Sequence, residues 1–367
     1  MKTRRGGMTS RRPLALESPH PPGRLRFPVI LFAVLFLQIS SFALRYRDIT
    51  FPSYTVQNAV QYGNNSVLLA DVYSPTGDTA RLRPLVIFVH GGGFVGGGRG
   101  LSQFSGIIFD ALVRRGYVVA SIDYRLTPGI TNDDPSYFEA MLRAIQDTKA
   151  AIRYFRRNPS VYGIDSSQIF VIGSSAGAIT SIHAAYLDSS ECPSYVRWGN
   201  VGNTFEGTSG NPGYSSRVSG VINCWGAIGD TAWIRPGNVP IYNVHGMADS
   251  TIFYYKIPAY HSFRFSSKYI YENVMRKNIR TGLDSFPNTG HTLDNNATKQ
   301  NQAMVGVAAW LYPLLNSSAT ALFDGFMPGW KPGIFESSFG VYDLAGRFRA
   351  RRKDLGQHSP MERGFSW

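Results

Sequence analysis

The sequence predicts an α/β fold in which helices cover both faces of a mostly parallel central sheet. Apolar runs of strand length recur along the chain, amphipathic segments of helical period lie between them, and Gly-rich motifs directly follow two of the runs. Strands buried on both faces read as continuous apolar runs, and their alternation with helices is typical of a parallel sheet. With 367 residues, 43% of them hydrophobic, the chain can bury one large core and still carry extensions.

The expected elements begin with a hairpin. Two strand-like segments, 54–62 and 67–73, flank a Gly-Asn-Asn turn, which predicts an antiparallel pair ahead of the parallel strands. Apolar runs and helical periodicity then predict strands over 85–89, 117–122, 169–172, 218–225 and 240–244, and helices over 136–157, 178–186 and 304–314. The polar segment 188–217 predicts a long loop or a small cap over the site.

Both ends of the chain lie outside this pattern. Residues 1–26 predict a basic disordered leader and residues 317–367 a mostly disordered tail, so the expected folded domain covers 45–316. The formal net charge is +13, and much of it falls in the leader. Because the basic character is so unevenly spread and no nucleic-acid-binding motif occurs, we expect no nucleic-acid partner.

An apolar run at 27–44 follows the basic leader. With Ser41-Phe42-Ala43 near its end, it predicts a secretory signal peptide cleaved after Ala43. The alternative is a signal anchor, since the run is about long enough to span a bilayer. Either way the folded domain is expected in the secretory lumen or outside the cell. A cleaved signal gives a secreted or lumenal protein, and an anchor gives a single-pass membrane protein. Glycosylation sequons at Asn64, Asn296 and Asn316 fit that location.

The chain has two cysteines, Cys192 and Cys224. They fit a single disulfide if the domain is exported, and two reduced apolar side chains if it is not. No Cys/His pattern with the spacing of a metal site occurs, so we expect no metal and no organic cofactor.

The motif Gly173-Ser174-Ser175-Ala176-Gly177 follows a predicted buried strand and precedes a predicted helix. This context is typical of a nucleophile elbow, in which a sharp turn exposes a serine hydroxyl. The flanking positions must be small because strand and helix approach closely there. The motif therefore predicts Ser175 as the nucleophile and Ser174 as a structural residue.

A second motif, His90-Gly91-Gly92-Gly93-Phe94, follows the strand predicted at 85–89. Glycines allow main-chain amides to approach a carbonyl oxygen closely, so the motif predicts an oxyanion hole. Its expected donors are the amides of Gly92, Gly93 and Ala176. A phosphate-binding loop is the weaker alternative, because no Lys-Ser/Thr pair follows the glycines.

In a site of this kind the acid and then the base follow the serine along the chain. Asp249 comes just after the strand at 240–244, where catalytic loops gather, and His291 just before the last helix. The predicted triad is Ser175, Asp249 and His291. Alternatives stay open for two of these roles, His261 as the base and Asp230 or Asp284 as the acid. His245 is expected only to fix its loop.

Taken together, the motifs resemble the carboxylesterase/lipase branch of the α/β-hydrolase fold, that of hormone-sensitive-lipase-like and BD-FAE-like esterases. The resemblance covers roughly residues 50–315 and rests on HGGGF, 122–126, 162–165, GSSAG, HGMAD and the late Gly-His. It implies the α/β-hydrolase fold with a catalytic domain over 45–316. It also implies a serine hydrolase of the carboxylesterase/lipase type that cleaves small-molecule esters of short or medium acyl chains without a cofactor.

Two other functions remain open on the same fold. One is an amide- or peptide-cleaving serine hydrolase, and the other is a catalytically inactive binding protein. The acyl pocket is expected to involve loops 94–105, 188–217 and 226–236. Aromatic residues at strand ends are candidates to line it or to pack beneath it, namely Trp225, Trp233, Phe253, Tyr254 and Tyr255.

Overall fold

The structure, a computed structural model, describes residues 45–131, 133–257 and 263–315, and the backbone of 335–337, 340–342 and 348–350. All of them belong to the compact unit Leu44–Trp367. The predicted leader and signal segment lie outside the described residues, as do His261 and Asn316. Among the described residues, no helix is both long and apolar enough to cross a membrane.

An eight-stranded sheet forms the centre, in the spatial order β1-β2-β4-β3-β5-β6-β8-β10. The strands β1 and β2 form the predicted antiparallel hairpin, β2 is also antiparallel to β4, and the remaining neighbours are parallel. Two further strands, β7 and β9, form a small antiparallel pair of their own. The strands are β1 (Tyr54–Gln61), β2 (Leu69–Pro75), β3 (Arg83–Val89), β4 (Val118–Ile122), β5 (Ile164–Ser174), β6 (Gly220–Cys224), β7 (Ala227–Ile228), β8 (Ile241–Gly246), β9 (Phe265–Ser266) and β10 (Thr281–Phe286).

Helices cover both faces of this sheet, as the apolar runs predicted. They are α1 (Gln103–Val113), α2 (Asp134–Arg157), α3 (Ala176–Tyr186), α4 (Ser267–Arg276) and α5 (Ala297–Leu315), with a single turn at Pro159–Tyr162. In β3, Leu85 and Ile87 pack on the side of α2, whereas Val86 and Phe88 pack on the side of α1 and α5. The two-residue period of the strand thus divides the core into two layers, and the α/β-hydrolase architecture expected from the sequence is confirmed.

The segment 188–217 is a loop with two short 3₁₀ turns, Ser189–Glu191 and Trp198–Val201. It packs against α2 through polar anchors. The amide of Gln146 donates to the carbonyls of Val201 and Thr204, and the ammonium of Lys149 pairs with Glu206 at 2.6 Å. Because Gln146 and Lys149 are buried in the folded chain, their hydrogen bonds fix the path of a loop that lacks regular structure of its own.

The structure contradicts the disulfide considered between Cys192 and Cys224, because both cysteines are free. Cys224 lies in β6 and is fully buried in the core layer of α1 and α5. Cys192 packs against the core layer on the side of α2. The sheet therefore separates the two thiols, and a bridge would have to cross it.

Within the tail predicted to be mostly disordered, three short antiparallel strands are described: β11 (Phe335–Ser337), β12 (Gly340–Tyr342) and β13 (Phe348–Ala350). They contain aromatic and β-branched residues, which favour extended backbone, around a Gly that suits a tight connection.

Candidate active site

Ser175 stands at the turn between β5 and α3, with a positive φ of 54°. The close approach expected around it is present. A Cβ built on Gly173 would lie 2.1 Å from the carbonyl oxygen of Gly177, and one built on Gly177 would lie 2.1 Å from that of Val89. Only glycine fits at these two positions, and the strained turn leaves Ser175 at the carboxyl edge of the sheet.

Asp249 lies in the turn that follows β8. Its Oδ1 accepts hydrogen bonds from the amides of Thr251 and Ile252, at 2.8 and 2.9 Å. Burial alone would raise the pKa of Asp249, but hydrogen bonds from His245 and His291 outweigh burial and hold this pKa well below its usual range. The carboxylate is therefore ionised and fixed in orientation.

His291 connects this carboxylate to the serine. Its Nδ1 lies 2.7 Å from Oδ2 of Asp249, and its Nε2 lies 3.0 Å from Oγ of Ser175. Because the ionised Asp249 can only accept, Nδ1 of His291 is the donor, which leaves Nε2 free to accept from the Ser175 hydroxyl. The structure thus brings together the three residues that the sequence predicts as a triad.

The alternative acids lie elsewhere. Asp230 is exposed and caps the 3₁₀ turn Thr231–Trp233, where its Oδ1 accepts from the amide of Ala232. Asp284 lies in β10 against Tyr242, and burial raises its pKa to about 7 although a hydrogen bond from Tyr242 opposes the shift. The alternative base, His261, is outside the described residues.

His245 is buried beside Asp249, a contact that its expected loop-fixing role did not include. Its Nε2 lies 2.8 Å from the carbonyl oxygen of Ile252 and 3.2 Å from Oδ2 of Asp249, and its Nδ1 lies 2.7 Å from Oγ of Ser267. Since both neighbours of Nε2 are acceptors, Nε2 carries the proton and Nδ1 accepts from the Ser267 hydroxyl. His245 therefore supports the carboxylate as well as the loop.

The Gly-rich loop after β3 lies against the elbow. A Cβ on Gly91 would be 3.2 Å from Cβ of Ser175. Gly92 and Gly93 have φ values of 114° and 60°, and a Cβ on Gly92 would lie 2.1 Å from the carbonyl oxygen of Gly96. This backbone needs glycine, and the loop that carries two of the predicted amide donors approaches the serine at Gly91. The amide of Ala176, in the first turn of α3, has no acceptor within the helix.

His90 holds the start of this loop. Its ring stacks on Tyr124 with the ring centroids 4.3 Å apart, and the Tyr124 hydroxyl donates to the carbonyl of His90 at 3.1 Å. Burial lowers the pKa of His90, so its ring is neutral. The neighbouring residues of Tyr124 are also anchored, Asp123 to Arg99 and Arg125 to Asp147, which agrees with the structural role expected for 123–125.

An unusual turn follows the base. Four consecutive residues, 292–295, have φ values between 51° and 57°, which is the left-handed region. The turn is held from α5 and α1: Nε2 of Gln300 donates to the carbonyl of Thr292 at 2.9 Å, and Nε2 of Gln103 donates to the carbonyl of Asn295. Oε1 of the buried Gln300 in turn accepts from Gln103 at 3.0 Å. Sequence patterns gave no sign of this arrangement.

Two of the predicted glycosylation sites are described, and both are at the surface. Asn64 is exposed in the turn between β1 and β2, and Asn296 is exposed at the start of α5. The structure also contains a cavity of about 1080 Å³ between loop 188–217, the end of α3 and the segment 237–239, lined in part by Lys149, Trp198 and Phe205. The residues that line this cavity do not include Ser175, Asp249 or His291, so it is separate from the site described here.

The strand order, the elbow at the end of β5 and the loops at the carboxyl edge of the sheet define an α/β-hydrolase fold protein. A family model described as BD-FAE matches residues 70–236. The chain thus resembles the α/β-hydrolase carboxylesterase family.

Curated relatives resemble the chain over part of their length. A probable isoprenylcysteine alpha-carbonyl methylesterase of Oryza sativa subsp. japonica is 34% identical over 145 residues, which is 38% of this chain and 31% of that protein. Esterase LipC of Mycobacterium tuberculosis is 33% identical over 135 residues, 37% of this chain and 30% of that protein. The matches thus span about three tenths of these relatives.

Solved structures resemble the chain over about seven tenths of its length. A truncated carbohydrate esterase from gut microbiota has a TM-score of 0.52 at 19% identity and covers 72% of this chain and 98% of its own. An esterase of Thermogutta terrifontis has a TM-score of 0.51 at 20% identity and covers 72% and 93%. At these identities the likeness concerns the fold alone.

Proposed function

We propose that this protein is a serine hydrolase that cleaves carboxylic esters of short or medium acyl chains. The observation that carries the proposal is the chain of hydrogen bonds from Asp249 through His291 to Ser175. Oδ2 of Asp249 lies 2.7 Å from Nδ1 of His291, and Nε2 of His291 lies 3.0 Å from Oγ of Ser175. Hydrogen-bond contact between nucleophile and base, and between base and orienting carboxylate, is what this chemistry requires. The names of the curated relatives, an isoprenylcysteine methylesterase and an esterase, support an ester substrate.

In the first half of the reaction, Nε2 of His291 takes the proton from the Ser175 hydroxyl while Oγ attacks the ester carbonyl carbon. The ionised Asp249 orients the ring and stabilises its cationic form. The carbonyl oxygen becomes an oxyanion, which the amides of Gly92, Gly93 and Ala176 stabilise. When the C–O bond to the alcohol breaks, His291 gives its proton to the departing oxygen, and an acyl-enzyme remains.

In the second half, His291 takes a proton from water as the water oxygen attacks the acyl carbon. The tetrahedral intermediate collapses, the proton returns to Oγ of Ser175, and the carboxylic acid leaves. The overall reaction consumes one ester and one water and yields one acid and one alcohol. Every proton transfer in it is made by His291, so no cofactor enters these steps.

A fluorophosphonate probe and a panel of p-nitrophenyl esters test this proposal. The full-length protein should be labelled and should hydrolyse the acetate and butyrate, whereas Ser175→Ala should take no label and lose about 10⁴–10⁶ in kcat. Ser174→Ala is the matched control and should still be labelled. Labelling without ester cleavage, but with cleavage of matched p-nitroanilides, would indicate an amidase. A wild-type protein that takes no label would indicate an inactive binding protein.

We also propose that the domain after Leu44 reaches the secretory lumen or the cell exterior. The basic leader, the apolar run at 27–44 and the exposed sequons at Asn64 and Asn296 support this location. Expression in a secretory host should give a product whose mobility increases on glycosidase treatment. Sequencing the N-terminus separates a cleaved signal from an anchor. Unchanged mobility together with cytosolic fractionation would contradict the proposal.

A further inference from the structure

Trp225 is the residue directly after β6, and its backbone is strained. It is a bulky residue with a φ of 48°, and its side chain is fully buried. A left-handed conformation at such a residue has a cost that surrounding contacts must offset, and conformations of this kind concentrate at functional sites. The contacts of the Trp225 side chain show which groups this backbone conformation brings it against.

The indole N–H is directed at the nucleophile elbow. Nε1 of Trp225 donates to Oγ of Ser174 at 3.1 Å, and both groups are buried. Ser174 immediately precedes Ser175, and its carbonyl oxygen would lie 3.0 Å from a Cβ built on Gly91. The hydrogen bond therefore fixes the residue that lies between the nucleophile and the oxyanion loop.

The indole ring also packs against the base. The ring centroids of Trp225 and His291 are 6.4 Å apart at an interplanar angle of 69°, which is an edge-to-face contact. Phe104 of α1 packs on the same indole, at 4.6 Å between centroids. One buried side chain thus contacts both the ring of the base, His291, and the neighbour of the nucleophile, Ser174, two residues that are far apart in sequence.

We propose that Trp225 is a positioning residue that sets the alignment of Oγ of Ser175 with Nε2 of His291. The inference rests on the proposed ester hydrolysis and deepens it. Serine attack needs the 3.0 Å contact between these two atoms to be held while the substrate is bound. Trp225 holds one of them through Ser174 and limits the movement of the other by packing.

Trp225→Phe tests the inference, because it removes the N–H and keeps an aromatic ring. With p-nitrophenyl acetate, kcat should fall about tenfold or more while KM changes little, since misplacement of reacting groups affects the chemical step rather than binding. The matched control is Trp310→Phe. Trp310 is also buried, but its Nε1 has no hydrogen-bond partner among the described residues, so the control measures the cost of trimming a buried indole.

Trp310→Phe should keep kcat within twofold, whatever it does to the melting temperature. If both variants lose kcat in proportion to their loss of melting temperature, the effect of Trp225 is structural and the inference is overturned. An active Trp225→Phe with kcat within twofold of the wild type would also overturn it.

Ser174→Ala gives a second test that does not depend on Trp225→Phe folding. It removes the acceptor and should lower kcat severalfold at constant KM, far less than Ser175→Ala does. The double variant should be no worse than Trp225→Phe alone, because both changes break one hydrogen bond. An additive double variant, or Ser174→Ala with unchanged kcat, would contradict the inference. If the wild type neither takes a fluorophosphonate nor cleaves esters, the proposed function itself fails.

Discussion

Nε2 of His245 lies 3.2 Å from Oδ2 of Asp249, so the carboxylate that orients His291 is also in contact with a second histidine. Replacing His245 with Ala removes a buried donor and leaves the Asp249 carboxylate with one hydrogen bond fewer. We expect a loss of about 2–3 kcal/mol in the free energy of unfolding and about tenfold in kcat. Urea unfolding and ester kinetics measure both. Unchanged kcat would show that the amides of Thr251 and Ile252 suffice to hold Asp249.

Activity should depend on pH through a histidine and not through Asp249. The pKa of Asp249 lies well below its usual range, so this carboxylate stays ionised, and contributes its stability, at any pH above the range of an ordinary Asp. The proposed base is a histidine, and a protonated imidazole cannot accept the serine proton. We expect kcat/KM to fall about tenfold per pH unit on the acid side.

Rates measured from about pH 5 to pH 8 at constant ionic strength check this dependence. His291→Ala should abolish activity as thoroughly as Ser175→Ala, whereas His261→Ala should retain it. A flat profile over this range would argue against a histidine base, and loss of activity in His261→Ala would favour that residue instead.

Asp284 should make the fold less stable at alkaline pH. Its pKa is about 7 in the folded protein, mainly because of burial, against about 3.9 in an unfolded chain. The folded state therefore holds a proton that the unfolded state releases. The stabilisation is complete below about pH 4 and is lost as the pH rises through 7. Asp284→Asn mimics the protonated form.

Urea unfolding of wild type and Asp284→Asn at about pH 5 and pH 9 tests the sign. The stability of the variant relative to the wild type should increase from the lower to the higher pH. We expect that increase to be about 2–3 kcal/mol. An equal difference at both pH values would mean that Asp284 is ionised in the folded protein throughout.

Neither cysteine should react readily with a thiol reagent in the native protein. Burial, with some help from the Glu191 carboxylate, raises the pKa of Cys192 to about 12, and burial alone raises the pKa of Cys224 still further. Thiolate, the reactive form, is therefore scarce at pH 8. Colorimetric titration should find two thiols after denaturation without reductant. None after denaturation would mean that the pair is bridged after all.

The strands at the centre of the sheet are predictable from sequence because their environment is uniform. A strand such as β5, covered on both faces, must be apolar along the residues that cross the core, and the elbow motif then marks where it ends. Ser175 and Asp249 each come just after a predicted strand, and His291 comes just before the last predicted helix. For this reason the candidate site was also predictable, without any measure of distance.

The elements that sequence patterns missed have a different origin. β10 contains Gly282 and Asp284, which disfavour strands, and it is extended because it pairs with β8 at the edge of the sheet. α1 begins at a Ser102–Ser105 capping box, which lacks the usual Glu, directly after a Gly-rich stretch. The contacts of Trp225 join residues far apart in sequence, and local periodicity carries no information about them.

The left-handed turn at 292–295 bears on how this protein can be made more stable. Each residue forced into that region costs roughly 1–2 kcal/mol unless it is Gly, Asn or Asp, and positions 294 and 295 already hold Asp and Asn. Leu293 is fully buried and cannot be exchanged freely. Selection for heat resistance should therefore favour Gly or Asn at Thr292, the one position where strain can be relieved cheaply. Thr292 adjoins His291, so the same substitution would let the His291 side chain move more freely. A gain in heat resistance at this position would therefore be accompanied by a lower kcat.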